Sequence, residues 1–252
     1  MANFKTHLSI ATLTSGAAAT AAATIGLVET RHTPVLFALG VLGGLLPDID
    51  ADNSTPVRLV FSLLGLLGAF AAVFYALGHY RFSIGELVVL GIGAFAVLRL
   101  LVFELFLRLT EHRGVFHSLL AVVFFGCLTA SLSYNLALSP PGLAWLHGLL
   151  LGGGYLVHLI LDEVFSVDLL GGRLKRSFGT ALKPFGRDLK ATVLMGALLL
   201  GISPTLPETA VLARLVSEER LIAPLQARLW PPEGRWFAPF WRHRLRISHG
   251  LE

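Results

Sequence analysis

Charge is what this sequence has least of. Asp, Glu, Lys and Arg make up 14% of its 252 residues, against roughly a quarter in a soluble domain, and a freely soluble globular fold is excluded on that ground. Cysteine occurs once, at Cys127, so no intrachain disulfide and no zinc-finger pair is available. There is no Gly-rich phosphate loop, no Walker motif and no G-x-S-x-G elbow, which removes nucleotide-loop chemistry and makes Ser118 a hydrogen-bonding neighbour rather than an acyl nucleophile. Internal repeats and heptads are missing too. What remains is apolar: 54% of the residues are hydrophobic and mean hydropathy is +0.72. The net charge of +4 then reports which loops face the cytoplasm rather than a nucleic-acid partner.

The long apolar runs set the expected architecture. Residues 8–28, 57–77, 84–107, 115–138 and 143–161 are each of spanning length for a ~30 Å hydrocarbon core. A shorter run, 33–46, closes at Leu46-Pro47-Asp48-Ile49-Asp50, where Pro47 and the acids stop it. The turn Ser139-Pro140-Pro141-Gly142 separates the fifth and sixth runs. The expected fold is an all-α polytopic membrane bundle of six spans, or seven if residues 191–202 also cross. Residues 1–203 form the transmembrane domain that carries the site. Residues 204–252 form a C-terminal tail, whose Trp230, Trp236, Trp241 and Arg235, Arg242, Arg244 and Arg246 suit the headgroup zone. Arg99, Glu104 and Arg108 interrupt the fourth run, Glu104 and Arg108 one helical turn apart, and read as an internal ion pair.

The stretch His112-Arg113-Gly114-Val115-Phe116-His117-Ser118 lies between two apolar runs. A polar group taken out of water without a partner costs roughly 2–7 kcal/mol, so these side chains need one. On one helix His112 and His117 would diverge by about 140°. They converge only if Gly114 breaks the geometry, which predicts a loop over 112–114 and His117 in the first turn of the next helix.

If the first six runs each cross once, the polar residues fall on one side. His7 opens the first helix, Asp48 and Asp50 close the second, His112 and His117 open the fifth, and His158 and Asp162 close the sixth. That side also holds Lys5, Arg58, Arg108, Arg113, Arg173, Lys175, Arg176, Lys183, Arg187 and Lys190, against Arg31 and Arg81 opposite. The positive-inside rule turns it to the cytoplasm. His32, His79, His147, His243 and His249 lie elsewhere and carry no assigned role.

His158 and Asp162 are four apart and leave one helix face together, so they can hold one ion. The ligand set His7, Asp48, Asp50, His112, His117, His158 and Asp162 mixes imidazole and carboxylate, which suits zinc, with manganese or iron as other occupants. Such an ion polarises phosphate oxygens and lowers the pKa of bound water towards ~7. The expected catalytic residues are Asp48, Asp50, His117 and Arg113, whose planar fork fits phosphate.

With His7, Leu46-Pro47-Asp48-Ile49-Asp50, His112-Arg113-Gly114, His117-Ser118-Leu119-Leu120 and Gly154-Tyr155 through His158 to Asp162, the chain resembles the YdjM family of inner-membrane, metal-dependent hydrolases. The pieces span about the first 165 residues in the family's order. The resemblance implies a helical membrane protein with a remote likeness, in ligand order, to zinc-dependent phospholipase C and S1/P1-type nucleases, which cleave phosphate esters. Ala51-Asp52 and Ser166-Val167-Asp168 depart from the family pattern. The expected function is a membrane-bound metal-dependent hydrolase of phosphate esters such as phospholipids or lipid-linked phosphates, with membrane lipids as partners and no nucleic acid. A divalent-metal or proton transporter is the first rival, and it would place its ligands at the bilayer midplane. A non-catalytic scaffold with a structural metal is the second, and it would close the metal's coordination shell.

Overall fold

The computed structural model describes residues 4–50, 55–102, 104, 114–165, 167–168, 173–174, 182–186 and 188–231. Nine α-helices are named among them: α1 (Phe4–Thr24), α2 (Thr33–Gly43), α3 (Thr55–His79), α4 (Ile84–Ala96), α5 (Leu119–Asn135), α6 (Pro141–Val164), α7 (Leu189–Ile202), α8 (Thr209–Leu215) and α9 (Ala223–Leu229). Among the described residues the fold is all-helical apart from one two-residue antiparallel ladder, Val167–Asp168 against Arg173–Leu174.

Local chemistry sets several of the boundaries. α1 ends in a Schellman motif, with Gly26 at φ 78°, its N–H donating to the Ala23 carbonyl at 3.1 Å and the Leu27 N–H to that of Ala22 at 2.9 Å. α4 opens with a capping box, in which Ser83 Oγ accepts from the Glu86 amide and the Glu86 carboxylate accepts from the Ser83 amide at 2.6 Å. Pro141 opens α6, where its missing N–H costs nothing.

Among the described residues two helices are long and apolar enough to cross a membrane, Ile84–Leu101 and Pro141–Val164. α7 with its 3-10 extension and α8, bent by 94°, pass the same test as a pair and form either a broken span or a re-entrant loop. Six or seven complete spans are not seen among the described residues. α2 has 11 residues, or about 16 Å, half the hydrocarbon core. α5, at 17 residues, is apolar but short of the expected 115–138, because Ser118 caps it and Leu136 follows its last turn.

α6 is the centre of the bundle, with α1, α2, α5 and α8 packed around it. One hydrophobic cluster joins Ala19, Leu36, Ala130, Trp145 and Leu215, and Trp145 Nε1–H donates to the Glu208 carbonyl at 3.2 Å. Residues beyond Pro204 therefore contribute to the core as far as Leu215. The second cluster, Val115, Phe116, Tyr155, Leu159, Ala191 and Met195, lies around the other end of α6. α3 and α4 pack on each other at the periphery, where Arg99 Nε–H donates to Ser62 Oγ at 2.9 Å. Arg108, expected near Glu104, lies outside the described residues.

Close backbone approach between α2 and α6 requires glycine. A Cβ on Gly154 would fall on the Gly40 carbonyl oxygen, and one on Gly43 would fall on that of Leu151. Gly153, next to Gly154, has open space where its Cβ would be. Gly154→Ala should therefore lower stability by roughly 1–3 kcal/mol, as overpacking does, while Gly153→Ala leaves it unchanged. Thermal unfolding of both variants in detergent checks this, and equal unfolding temperatures would contradict the packing.

Candidate metal centre

Four separate segments deliver side chains to one end of α6. His7 stands in the first turns of α1 and Asp48 in the 3-10 segment Leu46–Asp50. His117 precedes α5, and His158 and Asp162 share a face in the last two turns of α6. His7, His117, His158 and Asp162 are each at most 3% exposed. The Asp48 side chain is 33% exposed, so the cluster meets solvent on the Asp48 side.

His117 is not in a helical first turn. α5 starts at Leu119, because Ser118 is a better cap: its backbone is extended and its Oγ accepts from the Ala121 amide at 3.3 Å. Ser118 thus acts as the hydrogen-bonding neighbour its context suggests. Tyr155, fully buried, reaches across from α6 and donates its O–H to the Phe116 carbonyl at 2.6 Å, fixing the residue before His117.

The orientation of His158 follows from one bond. Its Nδ1 lies 2.8 Å from the Gly44 carbonyl oxygen. A carbonyl only accepts, so the proton sits on Nδ1 and, in the neutral ring, Nε2 presents a lone pair. That lone pair points at carboxylates: Asp48 Oδ1 at 3.5 Å and Asp162 Oδ2 at 3.9 Å. Asp162 also faces His7 Nε2 at 3.3 Å through Oδ1 and His117 Nε2 at 3.5 Å through Oδ2. The His7 and His158 rings stack with centroids 3.7 Å apart.

These separations exceed the 2.7–3.2 Å of an ordinary N–H···O bond, and His158 Nε2 and both Asp162 oxygens are buried without a hydrogen-bond partner. Leaving such groups unpaired costs several kcal/mol per ion. Two ligands bound tetrahedrally to one zinc at 2.0–2.1 Å stand about 3.4 Å apart. The observed 3.3–3.9 Å brackets that edge length, so the donor set fits a metal ion better than it fits direct pairing.

Among the described residues two groups of ligand atoms lie mutually within 4.8 Å: His7, Asp48 and His158, and His117, His158 and Asp162. His158 belongs to both, and with Nδ1 held by Gly44 its one free nitrogen serves one ion at a time. Burial opposes the charge on Asp48, but positive charge on the imidazoles, His158 beside it first and then His7 and His117, more than compensates and lowers its carboxyl below the usual carboxylate range.

Of the ligands expected from sequence, His7, Asp48, His117, His158 and Asp162 come together. Asp50 lies in the same 3-10 segment as Asp48, but its side chain is outside the described residues. His112 and Arg113 also lie outside them, since the described chain resumes at Gly114. Among the histidines without an assigned role, His147 Nδ1 pairs with Ser133 Oγ at 2.7 Å and His79 Nδ1 with the Tyr75 carbonyl at 2.9 Å. Sequence reasoning missed the Gly44 carbonyl, for which Gly43-Gly44 ahead of Leu-Leu-Pro was the one available signal.

No curated protein and no solved structure matches the chain. A family model described as YdjM inner membrane protein does match, over residues 1–169, which takes in all five of these side chains. With two thirds of its length so covered, the chain belongs to the YdjM family of inner membrane proteins.

Proposed function

We propose that this protein is a membrane-bound metal-dependent hydrolase of phosphate esters presented at headgroup depth, such as phospholipids or lipid-linked phosphates. The observation that carries the reading is the set of buried imidazole and carboxylate atoms spaced at 3.3–3.9 Å, with His158 Nε2 and both Asp162 oxygens lacking a hydrogen-bond partner and at a spacing that suits a shared ion. His7, Asp48, His117, His158 and Asp162 would hold zinc, or manganese or iron in its place. Bound there, the ion supplies Lewis acidity and an acidified water.

The chain's own residues account for the rest. Gly44 fixes the His158 tautomer, which keeps its Nε2 available as a donor atom. Asp48 alone among the five is part-exposed, and its carboxylate, held ionised, is placed to accept a proton at the solvent side. Asp50, two residues on in the sequence, would add a second carboxylate. Arg113 stands four positions before His117 in the sequence, a chain reach of at most about 14 Å, and its guanidinium would clamp phosphate oxygens. His112, one residue before Arg113 in the sequence, would add a further ligand.

The ligands sit at helix ends, where a phospholipid already presents its phosphate, whereas a transporter site is expected at the bilayer midplane. The near-complete burial of four of the five side chains favours the scaffold with a structural metal as the second reading. We place the site on the cytoplasmic side of a bundle of about six spans, on the ten-to-two asymmetry of basic residues. A cysteine introduced at Asp52 in a Cys127-free background should then resist an impermeant thiol reagent in intact cells and react after permeabilisation. Labelling of intact cells would reverse the orientation.

The activity test compares metal-loaded protein on phospholipid vesicles, a soluble phosphodiester and single-stranded DNA, with Asp162→Ala as the blank. Lipid cleavage that the blank lacks is the expected result. Arg113→Ala should slow it about ten- to a hundredfold, the worth of one charge-assisted hydrogen bond of ~1.5–3 kcal/mol. Cleavage of DNA but not lipid would overturn the substrate class, and a metal-loaded protein that cleaves none of the three would leave the structural-metal reading.

A further inference from the structure

His117 lies outside the helices, in the segment that leads into α5, and its hold comes from both sides. From within the family-matched region, Tyr155 grips the Phe116 carbonyl. From beyond it, residues 182–186 cover the start of α5. The Leu119 N–H donates to the Lys183 carbonyl at 2.9 Å and the Leu120 N–H to the Pro184 carbonyl at 3.2 Å. With the Ala121 amide taken by Ser118 Oγ, these bonds satisfy the first three amides of α5, which have no partner inside their own helix.

Gly186 lies directly against the same segment. A Cβ there would come within 2.7 Å of Val115 Cα and 3.0 Å of its backbone nitrogen. Ala191 and Met195 of α7 continue the contact by packing with Val115 and Phe116. Pro184 lacks an N–H, so it lends its carbonyl without needing a partner for a donor of its own.

We propose that residues 182–186 are a positioning strap for His117, and that through this strap the part of the chain beyond residue 169 governs the metal centre. The proposal rests on the reading of His117 as a metal ligand. Through its backbone bonds to Leu119 and Leu120 the strap fixes where the His117 imidazole can stand, as outer partners fix ligands in other metal sites, where their loss costs about 10–100-fold in affinity.

Gly186→Ala tests it, with Gly196→Ala in α7, where the added Cβ meets nothing, as control. Amide hydrogen exchange of Leu119 and Leu120 is measured in metal-free protein, and cobalt(II) affinity and visible spectrum are measured in the full-length protein in detergent. Gly186→Ala should raise exchange at both amides at least tenfold, weaken cobalt binding about 10–100-fold and alter the spectrum, with cooperative unfolding retained and the control matching wild type. Should Gly186→Ala not fold, Thr192→Val, which removes the hydroxyl lying 3.4 Å from the Gly186 carbonyl, is the milder variant and should change exchange and affinity in the same direction. Unchanged exchange, or raised exchange with cobalt affinity and spectrum identical to wild type, overturns the strap. No cobalt uptake by the wild type sinks the metal reading instead, and the exchange measurement then judges the strap's grip by itself.

Discussion

The Asp162 carboxylate is the constraint around which the rest of the molecule is arranged. It lies 3% exposed at the end of the central helix, with imidazole nitrogens of His7, His117 and His158 facing its two oxygens at 3.3–3.9 Å. A carboxylate in that position is tolerable only with positive charge beside it. Protonating the imidazoles supplies such charge at the cost of desolvating several cations together. One divalent ion supplies it with a single centre and uses lone pairs that otherwise oppose one another. Placing Asp48 beside the same nitrogen of His158 sharpens the requirement, because two carboxylates and a neutral ring repel without a cation between them.

Bringing five side chains from four segments to one point demands close helix packing, and small residues provide it. Gly40, Gly43 and Gly44 of the α2 region meet Gly154 and Leu151 of α6 backbone to backbone. That approach puts the Gly44 carbonyl within hydrogen-bond reach of His158. The same pattern recurs between α5 and α6, where a Cβ on Gly148 would fall on the Gly126 carbonyl. The packing that stabilises the bundle therefore also aims the ligands, and a change at these glycines acts on both. At the other end of α5 and α6 polar groups pair across elements, Ser133 Oγ with His147 Nδ1 and Ser131 Oγ with Thr205 Oγ1 at 2.6 Å.

Much of this was legible in the sequence because side-chain chemistry advertises itself. The four-residue spacing of His158 and Asp162 places them on one face, and ionisable residues at the ends of apolar runs stand out against 14% charge. What was hidden runs through the backbone. The Gly44 carbonyl and the carbonyls of Lys183 and Pro184 are acceptors every residue possesses, so no residue type marks them. His117 was expected in a helix because the apolar run begins before it, yet the extended backbone at Ser118 moved the helix start to Leu119. Hydropathy suggested six or seven crossings, whereas α2 stops after 11 residues where Gly43, Gly44 and Pro47 end the ladder.

X-ray absorption on the purified protein in detergent tests the metal centre most directly. The account predicts a bound transition metal, zinc being expected, with a first shell of nitrogen and oxygen at about 2.0–2.1 Å, outer-shell scattering from imidazole rings and no sulfur at ~2.3 Å. In His158→Ala the imidazole contribution should fall along with the metal content. A protein that is folded and free of metal after purification and after incubation with zinc, manganese or iron would contradict it, as would a metal whose shell contains no imidazole.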